Sequence, residues 1–310
     1  MSRKIIYLIN PISGTRGKSS LRELIARKTK DHHIDFDILP TNAEGNYDYL
    51  RDLIVKDQVT DIVICGGDGT VNAVAAALQG CPVRVGIIPM GSGNGLAFAA
   101  RIPKDPHKAL DIIFSGKTSL IDGLMINDKF SCMLCGIGFD AEVAHTFAQQ
   151  SKRGLQTYIK VTFRHFFTGK CWQFDIEPGP GKEPFRTKAF FISIANANQF
   201  GNNFTIAPKA RLDDGLLDIV IVKKMNKFRT LWAVLRQVLG GYTIKSDPGK
   251  PGNGKVLYFQ TPSLRIVNSE LAPLHIDGDP KRTAAVFDVR ILPGILQLIS
   301  RIHSDPTPPR

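Results

Sequence analysis

Apolar residues follow two rhythms along this chain, and the rhythm changes before its midpoint. In the first part, short continuous apolar runs alternate with stretches in which apolar residues recur every three or four positions. The runs Lys4 to Ile9, Ile34 to Leu39, Ile62 to Cys65 and Val83 to Ile88 have the form of strands buried on both faces of a parallel sheet. Between them, Leu21, Leu24 and Ile25, then Leu50, Leu53 and Ile54, then the small-residue run from Val71 have helical spacing, and Ser20 with Glu23 reads as a capping box ahead of the first helix. Strand and helix in strict alternation predict a doubly wound α/β domain over residues 1 to about 125.

After Ile126 the pattern becomes a series of short β-like runs separated by turn residues. These are Phe130 to Ile137, Cys171 to Glu177, Arg186 to Ala195, Leu217 to Val222, Val256 to Gln260, Leu264 to Val267, Leu274 to Ile276 and Ala284 to Ile291. Their spacing predicts an all-β, antiparallel sandwich or barrel domain over 126–310, with the Pro- and Gly-rich stretches at 178–182 and 248–254 as loops and a frayed tail from Ser304.

The 310 residues suffice for two cores, and 43% hydrophobic content agrees. No apolar stretch reaches the ~18 residues a spanning helix needs, and the start has no long apolar core of a signal peptide, so a cytoplasmic location is expected. Five cysteines, mostly in apolar surroundings, suit a reducing compartment; Cys132 and Cys135 form a CxxC in an alternating strand, which reads as core rather than as zinc or redox chemistry. Forty Lys and Arg against 28 Asp and Glu give a formal charge of +12, which favours anionic partners. With no nucleic-acid motif, nucleotide phosphates and acidic lipid surfaces rank ahead of nucleic acid.

Candidate chemistry sits where two of the first strands end. Gly66-Gly67-Asp68-Gly69-Thr70 follows one strand and opens into a helix, whose first N–H groups can hold an anion; Pro89-Met90-Gly91-Ser92-Gly93-Asn94-Gly95 repeats the plan after the next. Glycine alone is weak evidence, because tight strand-to-helix turns use it whatever they bind. Asp68 strengthens the case: a carboxylate in a phosphate loop repels its ligand unless it serves a divalent cation or an attacking hydroxyl.

The block GGDGTVNAV followed by PMGSGNGLA resembles the catalytic core of the diacylglycerol kinase and sphingosine kinase family of lipid kinases. The resemblance continues through Asn10 to Gly14, Gly136 to Ala141, Ile206 to Asp218 and Ile276 to Asp279, in the family's order and over nearly the whole chain. It implies an ATP-dependent lipid kinase with Mg²⁺. It places the nucleotide on Asn10, Pro11, Ile12, Ser13, Gly14 and Thr41, with its phosphates wrapped by Gly66, Gly67, Asp68, Gly69, Thr70, Val71 and Asn72, and Ser92 with Asn94 closing the far side. It also implies that the C-terminal segment, Leu292 to His303 here, returns to the first domain.

Catalytic roles implied by the resemblance fall on Asp68 and on Asp279. Bacterial members usually carry glutamate at the latter position, and Asp277 is the nearest substitute. Read without the resemblance, Ile276 to Asp279 is an ordinary Asp-Gly hairpin turn. Asp214 resembles the family's structural Mg²⁺ ligand, with the carbonyls of Arg211 and Leu216 completing the site, although Asp213-Asp214-Gly215 equally fits a plain turn. Asn94-Gly95-Leu96-Ala97 lacks the carboxylate of the GNDFA form and is closer to the GNALA of sphingosine kinases, which leaves diacylglycerol, a sphingoid base and other lipid alcohols open as acceptor.

Two acid-free, basic and apolar stretches, 151–170 and 223–239, read either as amphipathic helices packed on their own domain or as membrane-docking elements. The expected partners are a lipid acceptor and an anionic membrane surface bound peripherally, in a homodimeric assembly. The competing functions are an NAD kinase, which shares GGDGT, and a non-catalytic lipid or nucleotide sensor.

Overall fold

A computed structural model describes residues 3–10, 18–42, 44–150, 155–201, 204–223 and 256–302. The chain divides into two compact units: the described residues of Met1–Asp122 and Pro293–Arg310 form one, and those of Gly123–Leu292 form the other.

The first unit runs β1 (Lys4–Ile9), α1 (Lys18–Asp31), β2 (Asp35–Pro40), α2 (Tyr49–Lys56), β3 (Asp61–Gly66), α3 (Asp68–Ala77), β4 (Arg84–Pro89), α4 (Gly95–Ala99), α5 (Pro106–Ser115) and the start of β5 (Thr118–Ile126). Its strands are parallel in the order β2-β1-β3-β4. β1 and β3 are buried almost throughout, as their unbroken apolar runs require. The lower end of this sheet is tied by Asp61, fully buried, whose carboxylate accepts from Arg3 at 2.8 Å and Arg84 at 2.6 Å. Arg3 also donates to the last carbonyls of α5, Ile113 and Phe114. Removing one partner of such a buried pair costs about 3–5 kcal/mol.

The second unit contains the end of β5, β6 (Lys129–Ser131), β7 (Leu134–Gly138), α6 (Phe139–Ala148), α7 (Leu155–Thr168), β8 (Trp172–Glu177), β9 (Phe185–Ala195), the short pair β10 (Gln199–Gly201) and β11 (Phe204–Thr205), β12 (Leu217–Lys223), β13 (Val256–Thr261), β14 (Ser263–Val267), β15 (Leu274–Ile276), β16 (Asp279–Lys281) and the first half of β17 (Val286–Ile299). The ladders β12–β13, β12–β9, β14–β17, β14–β8, β15–β16, β15–β7, β5–β6, β7–β9 and β8–β9 are all antiparallel. Trp172, Phe174, Ile192, Ile219, Ile266 and Phe287 lie in its core.

β17 continues past Leu292, and there Gln297 and Leu298 pair parallel with Arg84 and Val85 of β4, giving the first sheet a fifth strand. Ile295 O accepts from Gly80 N, Asp122 accepts from Gly294 N, and Lys117 O accepts from Ser300 N, so this segment is tied along its length.

Besides α5 and α6, which the sequence reading did not predict, the chain departs from the expected element bounds in four places. Ser20 lies inside α1, which starts at Lys18, and so is not its cap. The run 130–137 is two strands, because Met133 O accepts from Asn196 N and Ala197 N and Asn196 Nδ2 binds Cys132 O, which takes these two residues out of the ladder. β17 starts at Val286 but runs on to Ile299. α3 begins at Asp68 rather than Val71, so Gly69 and Thr70 form its first turn.

Candidate active site

In the first unit, β1 has β2 on one side and β3 on the other, so the chain reverses its winding between β1 and β3. In open α/β sheets ligands bind outside the carboxyl ends of the strands at this switch point. The turn residues predicted for the nucleotide lie at those ends. Asn10 follows β1 and its Nδ2 donates to Thr70 Oγ1 at 3.0 Å, joining the two sides of the switch point. Thr41 follows β2, is buried, and its N–H donates to Ile9 O. Gly66 ends β3, Gly67 is the N-cap of α3, and Val71 and Asn72 continue from its first turn. Pro11, Ile12, Ser13 and Gly14 lie outside the described residues.

The two glycine turns are locked to each other through Asp68. Its carboxylate accepts from Asn94 N at 2.7 Å and from Gly95 N at 2.8 Å, the first N–H groups of α4. Burial pushes its pKa up, and these backbone hydrogen bonds oppose that shift. Asn94 holds a left-handed conformation (φ 56°) and its side chain binds Gly91 twice, accepting from Gly91 N at 2.8 Å and donating to Gly91 O at 2.7 Å. A Cβ on Gly91 would come within 2.7 Å of Gly67 Cα. Glycine in these turns is thus explained first by backbone-to-backbone approach, and what speaks for a nucleotide is the switch point with a helix N-terminus beside it. Ser92 lies in the same turn, between Gly91 and Asn94.

In the second unit, Asp277 and Gly278 join β15 to β16 with φ of 50° and 82°, the positive pair of a type I′ hairpin turn, and Ile276 faces Asp279 across it. The two aspartates have opposite surroundings. Asp277 Oδ1 accepts from Ser131 Oγ at 2.7 Å and Leu134 N at 3.0 Å, whereas Asp279 is exposed. The sequence reading missed the residues behind this turn. His275, fully buried, faces Asp140 at the start of α6, with Nε2 and Oδ2 3.3 Å apart, and its Nδ1 accepts from Gly278 N at 3.3 Å. Gly138 at φ 104° caps α6 and turns Asp140 inward. Two of the blocks that carried the family resemblance meet here, which is the signal that could have pointed to Asp140.

Asp214 Oδ1 accepts from Leu216 N at 3.1 Å around Gly215, an Asx-type turn. A carboxylate oxygen holding one N–H keeps lone pairs for a cation. Among the described residues no group of three or more His, Cys, Asp or Glu side chains is set to hold a metal. A cation here would therefore rest on Asp214 and the carbonyls of Arg211 and Leu216, all hard oxygen donors of the kind Mg²⁺ takes. Asp218, four residues on, is buried; burial raises its carboxyl to about 7, and Tyr258 and Gln260 donate to it.

Of the two basic stretches, α7 buries Val161 and Phe166 against its own unit, with Phe166 edge-on to Phe139 and Tyr158 edge-on to Phe147. Ile159 and Phe163, one turn apart, remain 44% and 49% exposed, each followed by an exposed basic residue, Lys160 and Arg164. Apart from Lys223, the stretch 223–239 lies outside the described residues. Among the described residues no helix is long and apolar enough to cross a membrane.

A parallel sheet with paired glycine turns at its switch point, followed by an antiparallel β unit, defines the class of two-domain kinases to which the comparisons point. The diacylglycerol kinase catalytic domain matches residues 4–126, and the YegS C-terminal NAD kinase beta sandwich-like domain matches residues 134–300. The chain belongs to this diacylglycerol kinase and YegS-like family of lipid kinases. It is 26% identical over 284 residues to a diacylglycerol kinase of Staphylococcus carnosus, covering 89% of this chain and 88% of that one. It is likewise 26% identical over 299 residues to a "probable lipid kinase YegS-like" of Chromohalobacter salexigens, covering 91% and 90%. A crystal structure of a diacylglycerol kinase from Bacillus anthracis shares the fold, with a TM-score of 0.75 at 19% identity over 98% of this chain and 99% of that one.

Proposed function

We propose that this protein is an ATP-dependent lipid kinase that passes the γ-phosphoryl group to the hydroxyl of a lipid alcohol such as diacylglycerol or a sphingoid base. The observation that carries this reading is the Asn10–Thr70 bond across the β1/β3 switch point, beside the N-terminus of α3, in a chain of the lipid kinase family. Phosphoryl transfer is mostly positioning and charge neutralisation, and the residues divide along those lines.

Asn10 to Gly14, Thr41, Gly66 to Asn72, Ser92 and Asn94 hold the nucleotide, with the N-terminal amides of α3 directed at phosphate. Asp68 keeps the second glycine turn against the first and so sets the shape of the phosphate site. Asp279, the exposed carboxylate of the β15–β16 turn, takes the proton of the acceptor hydroxyl. Asp214, with the carbonyls of Arg211 and Leu216, would hold a structural Mg²⁺, which would supply local rigidity to this loop. Access to the acceptor is peripheral: Ile159 and Phe163 of α7 insert at an anionic surface while Lys160 and Arg164 meet its headgroups.

Radiolabelled ATP presented with a mixed lipid extract, and separately with NAD, tests the reading. A labelled lipid and unlabelled NAD are expected. Labelled NAD alone, or no transfer at all, would overturn it. Co-sedimentation with vesicles of rising phosphatidylglycerol content tests α7, where Phe163→Ser is expected to reduce binding and equal binding to neutral vesicles would refute the docking role.

A further inference from the structure

The buried pair behind the hairpin turn of the second unit does more than fill space. We infer that His275, held in one tautomer by Asp140, is the positioning residue that fixes the Asp277–Gly278 turn and thereby sets where Asp279 stands; for catalysis this rests on the reading of Asp279 as the proton acceptor.

A backbone N–H can only donate, so the Gly278 N–H on Nδ1 requires that nitrogen to be without a proton. The ring proton then lies on Nε2, directed at Asp140 Oδ2. Asp140 is itself fixed, its Oδ1 accepting from Ala141 N at 2.9 Å at the start of α6. A chain of bonds therefore runs from the α6 N-terminus through Asp140 and His275 to Gly278, one residue before Asp279.

Three further observations agree. His275 lies opposite Gly136 in the β15–β7 ladder, and a Cβ at 136 would come within 2.0 Å of Asp140 Oδ2 and 2.4 Å of His275 Nε2, so glycine there leaves the room that the pair occupies. Asp277, on the other side of the turn, is tied to Ser131 and Leu134, so the turn is gripped from both flanks. Asp277 and Gly278 both sit at positive φ, a conformation that for Asp277 is strained unless its surroundings impose it. A packed histidine with no wider task needs neither the acceptor role at Nδ1 nor a carboxylate partner.

The test combines nuclear magnetic resonance with steady-state kinetics on the full chain, using ATP and dioctanoylglycerol micelles. In the wild type, the ¹⁵N resonances of His275 are expected to be pyridine-like at Nδ1 and pyrrole-like at Nε2. His275→Ala is expected to shift the Gly278 amide resonance and to lower kcat about 10- to 100-fold, the scale of a misplaced catalytic group, with KM for ATP unchanged. His275→Asn returns an amide oxygen near the place of Nδ1 and is expected to keep most of the kcat that His275→Ala loses, which a purely packing role would not predict. A proton on Nδ1 in the wild type, or an unmoved Gly278 amide in His275→Ala, overturns the proposal whatever the activity. If His275→Ala does not fold, the wild-type tautomer and His275→Asn still decide it. Full activity in Asp279→Asn would overturn the proton-acceptor reading, while the resonances judge the turn separately.

Discussion

Asp68 in the first unit and Asp279 in the second were both singled out as catalytic carboxylates, yet the structure treats them in opposite ways. Asp68 is half-buried, and its carboxylate accepts from the N–H groups of Asn94 and Gly95. Asp279 stands exposed on its turn while its neighbour Asp277 takes the inward-facing bonds. An aspartate in a glycine-rich turn is therefore two different objects: a staple whose oxygens are taken by backbone, or a free-standing acid that can meet a substrate. The difference predicts which substitutions cost activity, which cost stability and which cost both.

The sharpest contrast comes from Asp279→Asn, expected to lower kcat about 10²- to 10⁴-fold with the melting temperature unchanged, as removal of a proton acceptor should. A variant that melts early would instead make Asp279 a second staple. Asp277→Ala, at the start of the same turn, should do the reverse. It leaves the N–H of Leu134 and the hydroxyl of Ser131 without their acceptor and puts alanine at positive φ, for a loss of about 3 kcal/mol in denaturant titration. Asp68→Asn should cost about 2 kcal/mol, because an amide can accept one N–H but turns its own N–H₂ towards the other, and activity should fall with it. Wild-type stability in that variant would remove the staple.

The smallest effect marks the solvent-exposed limit. Asp105 caps α5 through the N–H groups of His107 and Lys108, which hold its carboxyl below the usual carboxylate range. A depressed folded-state pKa contributes stability above the unfolded value and loses it as pH falls through the folded one. Asp105→Ala should therefore melt slightly earlier at neutral pH, and the gap should close as the solution is acidified through the carboxylate range. A gap independent of pH would assign the effect to helix propensity instead.

The alternation of elements in the first unit was legible because both faces of its strands are buried, so Ile62 to Cys65 could hardly be anything but a central strand. The type of the second unit was legible from turn spacing and α7 from its helical apolar pattern, but α6 was not. α6 begins in the middle of an apolar run, and its N-cap is Gly138 with no side-chain acceptor to announce it. α5 carries a plain signal in Asp105-Pro106 that the sequence reading passed over. At the site, the positions of Asn10, Thr41 and the glycine turns followed from where strands end. The partners of Asp68 did not, since hydrogen bonds to Asn94 and Gly95 span 26 and 27 residues and depend on how closely Gly67 and Gly91 approach. Asp140 lay in a block that carried the resemblance, but its pairing with His275, 135 positions away, was not legible for the same reason.

The last residues of β17 have a consequence for synthesis. The fifth strand of the first sheet pairs with β4 across a sequence separation of about 210 residues, so it leaves the ribosome long after β1 to β4 have been made. Until then, nascent β4 presents an open edge, and open apolar edges are the usual template for wrong pairing between chains. Closing so long a loop is entropically modest but slow, which puts the late step of folding at the C-terminal end of the polypeptide. A ribosome stalled before Pro293 would thus hold the first unit with every residue proposed to bind phosphate already translated and its sheet still one strand short.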